Sequence, residues 1–223
     1  MAGAWVYPGG AVDAADRRAG DVVVSDDPAL LPWRAALARE LVEETGIWVT
    51  TGGTHVVPLA EGERAFIRAR RDGIVFDGDR FVYFARWVTP APLPVRFDAR
   101  FFLCEVDATM EPVIDGRELV AAEWVAPSDA LRRAEAGRWR LALPTRRTLA
   151  YLDRFVSTAE AMADARRQRP VAVQPRLRIV DGAVGFVLPG EEGFAEAEAG
   201  ERDPSFVQRL AALVGGSDEL RRL

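Results

Sequence analysis

Residues 39–46 read RELVEETG, an arginine followed by three glutamates at positions i, i+3 and i+4 of one segment. On a helix each residue advances about 100°, so with Leu37 at zero, Glu44 falls at about −20°, Glu40 at about −60° and Glu43 at about −120°. Trp33, Leu37 and Leu41 are expected to form the apolar stripe, which spans about −40° to +40° on the same scale. Glu44 lies inside that stripe. A solvated charged face accounts for Glu43 but not for Glu44. Carboxylates at this spacing repel one another by roughly a few tenths of a kcal/mol per pair in water. Partial burial makes the repulsion worse and raises their pKa values. A divalent cation offsets it. Hard oxygen ligands on one rigid helical face suit Mg²⁺ or Mn²⁺, which keep positions open for water and substrate phosphate oxygens. Arg39, four residues ahead of Glu43, is placed to orient it through an ion pair.

The elements that must carry these residues follow from pattern. Residues 32–45 are rich in helix formers and stop at Gly46, a natural left-handed terminus. A β-branched strand is expected over 47–51, a short helix over 61–73, and strands over 80–88, 96–106 and 119–125. Ser128 is expected to cap a helix reaching about Ala136, and 144–167 to form one long amphipathic helix behind Pro144. Beyond Arg169 the stretch 176–190 reads as a β-hairpin around Asp181-Gly182, followed by an acidic tail with one short helix. The expected organisation is a main domain over 1–168 and a C-terminal extension over 169–223. Mixed strands and helices in this order imply an α/β fold, a sheet covered by helices.

Composition narrows the chemistry. The chain has 223 residues, 49% of them hydrophobic and 28% charged, with a net charge of −5. That balance fits a globular core and gives no basic footprint for nucleic acid. All of its cationic side chains are arginines. The single cysteine, Cys104, excludes an internal disulfide and fits a reducing cytoplasm, and its setting in RFFLCEV marks a buried small side chain. His55 is the sole histidine, which excludes a zinc site built on several histidines. No apolar run approaches the roughly 20 residues of a membrane span, and the N-terminus carries no signal-peptide pattern. The expected setting is the cytoplasm.

RELVEETGI resembles the second half of the Nudix box, in which Arg-Glu, an aliphatic, any residue, Glu-Glu, any residue, Gly and an aliphatic follow in order. Arg39, Glu40, Leu41, Glu43, Glu44, Gly46 and Ile47 meet each defined position. The first half resembles YPGGAVDAAD (7–16), where Gly10 matches the opening glycine and Asp16 stands where the pattern has glutamate. Between Asp16 and Arg39 lie 22 residues where the pattern has seven, an insertion of 15, placed at about 17–31. A split box of this kind, with WVTP (87–90) and RFDARFF (96–102) downstream, resembles the branch of peroxisomal coenzyme A diphosphatases and their bacterial relatives.

The resemblance implies an α/β/α sandwich with a mixed central sheet, in which a loop-helix-loop holds metal against a diphosphate. It implies Glu40 and Glu44 as main ligands of Mg²⁺ or Mn²⁺, Glu43 as a ligand directly or through water, the Gly10 carbonyl completing the shell, and Arg39 as a structural partner. The implied reaction is hydrolysis of a diphosphate in a nucleotide-linked small molecule such as coenzyme A or an acyl-CoA. Other readings are ADP-ribose, NADH or dinucleoside polyphosphate hydrolysis, and a Nudix-fold module that binds nucleotide without cleaving it.

Glu118 is the expected general base, with Glu111 and Glu123 as competitors and a plain surface role as the bland reading of all three. Arg96, Asp98 and Arg100 alternate on one strand face, which suits either a solvated edge or binding of substrate phosphate by Arg96 and Arg100. Trp87 and Trp124 are expected in the core. The family resemblance also implies a strand and loop ahead of residue 5, so the N-terminus is expected to be truncated and the fold to lack that strand. An unpaired strand edge would favour pairing with another chain, as in a homodimer.

Overall fold

The computed structural model describes residues 3–107, 109–114, 116, 119–203 and 205–213. Its architecture is mixed α/β, with parallel and antiparallel strand pairs. The chain divides into two compact units: residues up to Val82 together with Phe102–Arg167, and Tyr83–Phe101 together with residues from Gln168 on.

In the first unit, a 3-10 turn at Asp16–Asp21 leads into β1 (Val23–Val24) and then α1 (Leu31–Thr45). Pro32 sits in the first turn of α1, where a missing N–H costs nothing. Gly46 closes the helix at φ 69°, and its N–H donates to the Val42 carbonyl at 2.9 Å. The left-handed conformation favours glycine there. The helix turns directly into β2 (Ile47–Thr50), which pairs antiparallel with β3 (Gly53–Val56). After α2 (Ala65–Asp72), β4 (Phe76–Asp77) pairs with both β1 and β2, completing the order β1-β4-β2-β3. All of β2 is buried, as a central strand requires. Trp48 stacks on Phe76 with centroids 5.2 Å apart and donates its indole N–H to the Val57 carbonyl.

Residues 17–31, where an insertion was expected, are structured. Their strand β1 runs parallel to β4. Arg34 of α1 pins it, with Nη1 donating to Ser25 Oγ at 2.7 Å and to the carboxylates of Asp26 at 2.8 Å and Asp79 at 2.6 Å. Arg70 adds a bidentate pair to Asp21 at 2.6 and 2.9 Å.

The buried face of α1 differs from the expected stripe. Ala35, Ala38 and Val42 enter the core, whereas Leu37 and Leu41 are half-buried at its margin. Small side chains allow close approach to the Asp16–Asp21 turn, and that packing outweighs the larger transfer free energy of leucine. Glu44 is nonetheless buried, at 8% exposure.

The remaining elements of this unit correct four expectations. Helix α2 starts at Ala65, four residues later than the pattern suggested, after a turn at 61–62. Residues 119–125 form no strand among those described, and Trp124 is 53% exposed rather than in the core. Strand preference is expressed only where a neighbouring edge accepts the ladder. The β5 strand (Val82–Val88) does carry a buried tryptophan, Trp87. Helix α3 (Pro127–Glu135) places Ala126 at the cap and Ser128 inside the first turn, because Pro127 takes the first helical position. The expected long helix is two, α4 (Leu143–Leu152) and α5 (Thr158–Arg167). Ser157 Oγ accepts the Glu160 N–H at 3.2 Å while the Glu160 carboxylate accepts the Val156 N–H at 3.3 Å, a capping arrangement that starts the second helix.

In the other unit β5 lies between β6 (Asp98–Leu103) and β7 (Ala172–Val173). The hairpin forms as expected, from β8 (Arg176–Val180) and β9 (Ala183–Val187). Asp181 at φ 50° and Gly182 at φ 76° supply the two left-handed residues of a tight turn matched to strand twist. Among the described residues two helices follow rather than one, α6 (Phe194–Glu201) and α7 (Phe206–Leu213). Leu177, Phe206 and Leu210 bury a small core with Leu93. Among the described residues no helix is long and apolar enough to cross a membrane.

Candidate functional site

The carboxylate helix meets the N-terminal loop at a glycine pair. Gly9 donates its N–H to Glu44 Oε2 at 2.9 Å. Gly10 lies so close to Glu40 that a Cβ built on it would collide with Glu40 Oε1. Two consecutive positions of the loop thus face the two glutamates one helical turn apart, and a side chain at Gly10 would push the end of Glu40 aside.

Arg39 organises the other side. Its Nε and Nη2 clamp the two oxygens of Asp16 at 2.9 Å each. Nη1 reaches Glu40 Oε1 at 2.7 Å and Glu43 Oε2 at 3.3 Å, and Nη2 also donates to the Ala11 carbonyl at 3.1 Å. Three carboxylates share one guanidinium. Its pKa is raised above the ordinary arginine value, first by the hydrogen bonds to Asp16 and then by Glu40, against the opposing effect of burial. The ion pair with Glu43 expected from the four-residue spacing forms, and Asp16 is the dominant partner.

Asp16 is fully buried. The DAAD stretch prepares it locally: Asp13 Oδ1 accepts the N–H groups of Ala15 and Asp16 at 2.6 and 3.0 Å, and Asp16 Oδ2 accepts the Asp13 N–H at 2.8 Å. This is an Asx turn that aims the second carboxylate inward. Glu43 Oε1 in turn accepts the Ala65 N–H at 3.4 Å, at the start of α2, where exposed backbone N–H groups and the helix dipole favour an anion.

The structure treats the other sequence candidates differently. Glu118 falls outside the described residues. Glu111 is exposed, on a segment joined to the end of α1 by the Val113 N–H donating to the Thr45 carbonyl at 2.8 Å. Glu123 binds Arg133 with both oxygens, at 2.8 and 2.9 Å. Arg96 and Arg100 belong to the other unit, where Arg96 is exposed and Arg100 stands 3.7 Å from Asp98. Asp98 is itself clamped by Arg86 at 2.7 Å through each oxygen. Burial pushes the Cys104 thiol up to about 11, which suits packing and not nucleophilic attack. A cavity of about 400 Å³ opens beside β1, lined by residues that include Asp21, Ser25 and Leu31, and shares no lining residue with the carboxylate group.

Two participants were missing from the sequence reading: the clamping role of Asp16 and the Gly9 N–H. Asp16 left a signal, an acid at the box position of the first glutamate with an Asx-forming aspartate three residues ahead. Gly9 left none, because a backbone donor has no residue type.

Among the described residues no group of three or more His, Cys, Asp and Glu side chains is arranged to hold a metal ion by itself. The donor set fits Mg²⁺ or Mn²⁺ in another mode. Such ions are held by one or two carboxylates, with water and substrate phosphates filling the remaining positions. Glu40 and Glu44, set against the bare backbone at Gly9 and Gly10, match that requirement.

No family model matches the chain. It is 26% identical over 205 residues to nudix hydrolase 7 of Caenorhabditis elegans, across 86% of this chain and 64% of that protein. The chain thus spans just under two thirds of the length of this curated relative. Among solved structures it is similar to the NUDIX hydrolase from Alicyclobacillus acidocaldarius, with a TM-score of 0.61 and 30% identity, over 72% of this chain and 81% of that one.

Proposed function

The chain belongs to the Nudix hydrolase family, and from that premise we propose that it is a metal-dependent diphosphatase acting on a nucleotide-linked small molecule, with coenzyme A or an acyl-CoA as the leading substrates. The observation that carries this reading is the opposition of Glu40 and Glu44 to the Gly9-Gly10 backbone, beside an arginine locked by a fully buried aspartate.

Glu40 and Glu44 would hold Mg²⁺ or Mn²⁺, with Glu43 contributing directly or through water and the Gly10 carbonyl completing the shell. When bound, the ion supplies neutralisation of the diphosphate and a water of lowered pKa. Arg39 keeps Glu40 and Glu43 oriented, and Asp16 keeps Arg39 from rotating away. Gly9 fixes one oxygen of Glu44, so that its other oxygen has a defined direction. The proton acceptor is assigned to the segment after Met110, with Glu118 as the residue proposed and Glu111 as its rival. The Val113–Thr45 hydrogen bond ties the described part of that segment to the end of the carboxylate helix. Arg96 and Arg100 are proposed to bind substrate phosphate. A homodimer in the cytoplasm is the proposed working form, with no nucleic-acid partner.

The deciding experiment is a hydrolysis screen over coenzyme A, acyl-CoA, ADP-ribose, NADH and dinucleoside polyphosphates with Mg²⁺ or Mn²⁺, identifying products by mass. Turnover is expected with metal and none in EDTA. Undiminished turnover in metal-free buffer would remove the mechanism. Nucleotide binding without turnover under any metal would make the chain a binding module.

A further inference from the structure

The loop that carries Gly9 and Gly10 has no regular structure of its own. From Val6 to Ala11 no residue belongs to a helix or strand. At its far end one hydrogen bond joins the Gly9 N–H to Glu44, and the Ala11 carbonyl accepts from Arg39. A strap of this length is better held against its conformational entropy when its other end is anchored too.

That anchor is aromatic. Trp5 stacks on Trp139 with ring centroids 4.2 Å apart and planes inclined by 21°. The Trp5 N–H donates to the Arg140 carbonyl at 3.0 Å, and Trp5 bridges Leu141 in parallel. The Arg133 guanidinium lies 4.8 Å from the Trp139 centroid on a cation–π contact. Glu123 holds that guanidinium through both oxygens. The outer end of the strap is therefore tied to a chain of four side chains, none of which touches Glu40 or Glu44.

We propose that Glu123, Arg133, Trp139 and Trp5 form a brace that holds the strap in register, so that the Gly9 N–H and the bare Gly10 meet the two metal-binding carboxylates. Trp5 and Trp139 are positioning residues: they act on the carboxylates through the Gly9-Gly10 backbone. The carboxylates' metal role rests on the function proposed above, whereas the brace itself does not. Stacked aromatics suit this task because a large buried contact area restrains a chain end at small side-chain entropy. Glu123 thereby has a use other than proton transfer.

The test compares Trp139→Ala, Trp5→Ala and the conservative Trp139→Phe with the parent protein. Two quantities are followed: Gly9 amide exchange by NMR, and affinity for Mn²⁺ alone by electron paramagnetic resonance. Loss of the stack is expected to raise Gly9 exchange at least about tenfold and to weaken Mn²⁺ binding about tenfold, the usual scale for groups that orient metal ligands. Trp139→Phe is expected to restore both towards parent values, which a general loss of stability would not do. Trp5→Ala removes only one ring near the chain end and carries the test if Trp139→Ala does not fold. A folded Trp5→Ala with parental Gly9 exchange and parental Mn²⁺ affinity would overturn the brace. If the parent binds no Mn²⁺, the metal reading fails, and Gly9 exchange alone still decides the brace.

Discussion

Two arginine–aspartate clamps of similar geometry have opposite consequences. Arg39 grips Asp16 at 2.9 Å through each oxygen, and Arg86 grips Asp98 at 2.7 Å through each. Distance would favour the second. Burial favours the first: the side chains of Arg39 and Asp16 are 9% and 0% exposed, while those of Arg86 and Asp98 are 35% and 44% exposed. Water screens the exposed pair, whose net worth is small. The buried pair has surrendered its hydration, so each partner depends on the other. Only the buried clamp also holds carboxylates that could do chemistry, since Arg39 reaches Glu40 and Glu43 with its remaining nitrogen. Burial, not bond length, decides which clamp the rest of the molecule relies on.

Removing one partner from each clamp is the sharpest way to break that comparison. Asp16→Ala leaves a buried guanidinium without its main partner and is expected to cost about 3–5 kcal/mol of unfolding free energy in a denaturant titration. An effect below about 1 kcal/mol would place Asp16 with the surface pairs.

Next in size is a change at the chemistry itself. Glu44→Gln keeps an oxygen for the Gly9 N–H but loses the charge, so turnover is expected to fall about 100-fold while the fold survives. Near-parental turnover with unchanged metal dependence would remove Glu44 from the ligand set.

A subtler change is Gly10→Ala. The added methyl displaces the far end of a flexible Glu40 side chain. Stability is expected to move by less than about 1 kcal/mol, and Mn²⁺ affinity to drop about tenfold. Unaltered affinity by calorimetry would show that Glu40 needs no fixed direction.

The smallest effect belongs to the exposed clamp. Asp98→Ala is expected to cost about 0.2–1 kcal/mol in the same denaturant titration used for Asp16→Ala. Arg86 holds the Asp98 carboxyl below the usual carboxylate range, with Arg100 adding to it and burial opposing. A depressed carboxylate stabilises the fold fully above its ordinary pKa and loses that contribution as pH falls through the lowered one. The gap between parent and Asp98→Ala should therefore be constant at neutral pH and close in acid. A gap that widened in acid would contradict the pairing.

The carboxylate arc, the stop at Gly46 and the turn at Asp181-Gly182 were legible in the sequence because each rests on local stereochemistry. A helix advances by a constant angle, and a left-handed residue asks for glycine or an Asx side chain wherever it occurs. The division of 144–167 was legible as well, in the Ser157-x-x-Glu160 capping pattern, although helical periodicity across the break hid it. Tertiary structure alone settled the rest. The same helix offers a leucine stripe and an alanine face, and the neighbours packed against it, the Asp16–Asp21 turn foremost, select the alanines. The 119–125 stretch has the composition of a strand, but among the described residues it joins no sheet. Arg39 finds its main partner 23 residues back, across a stretch that sequence spacing treated as an interruption. Periodicity and turn chemistry are properties of a few adjacent residues; burial and pairing depend on which distant residues arrive beside them.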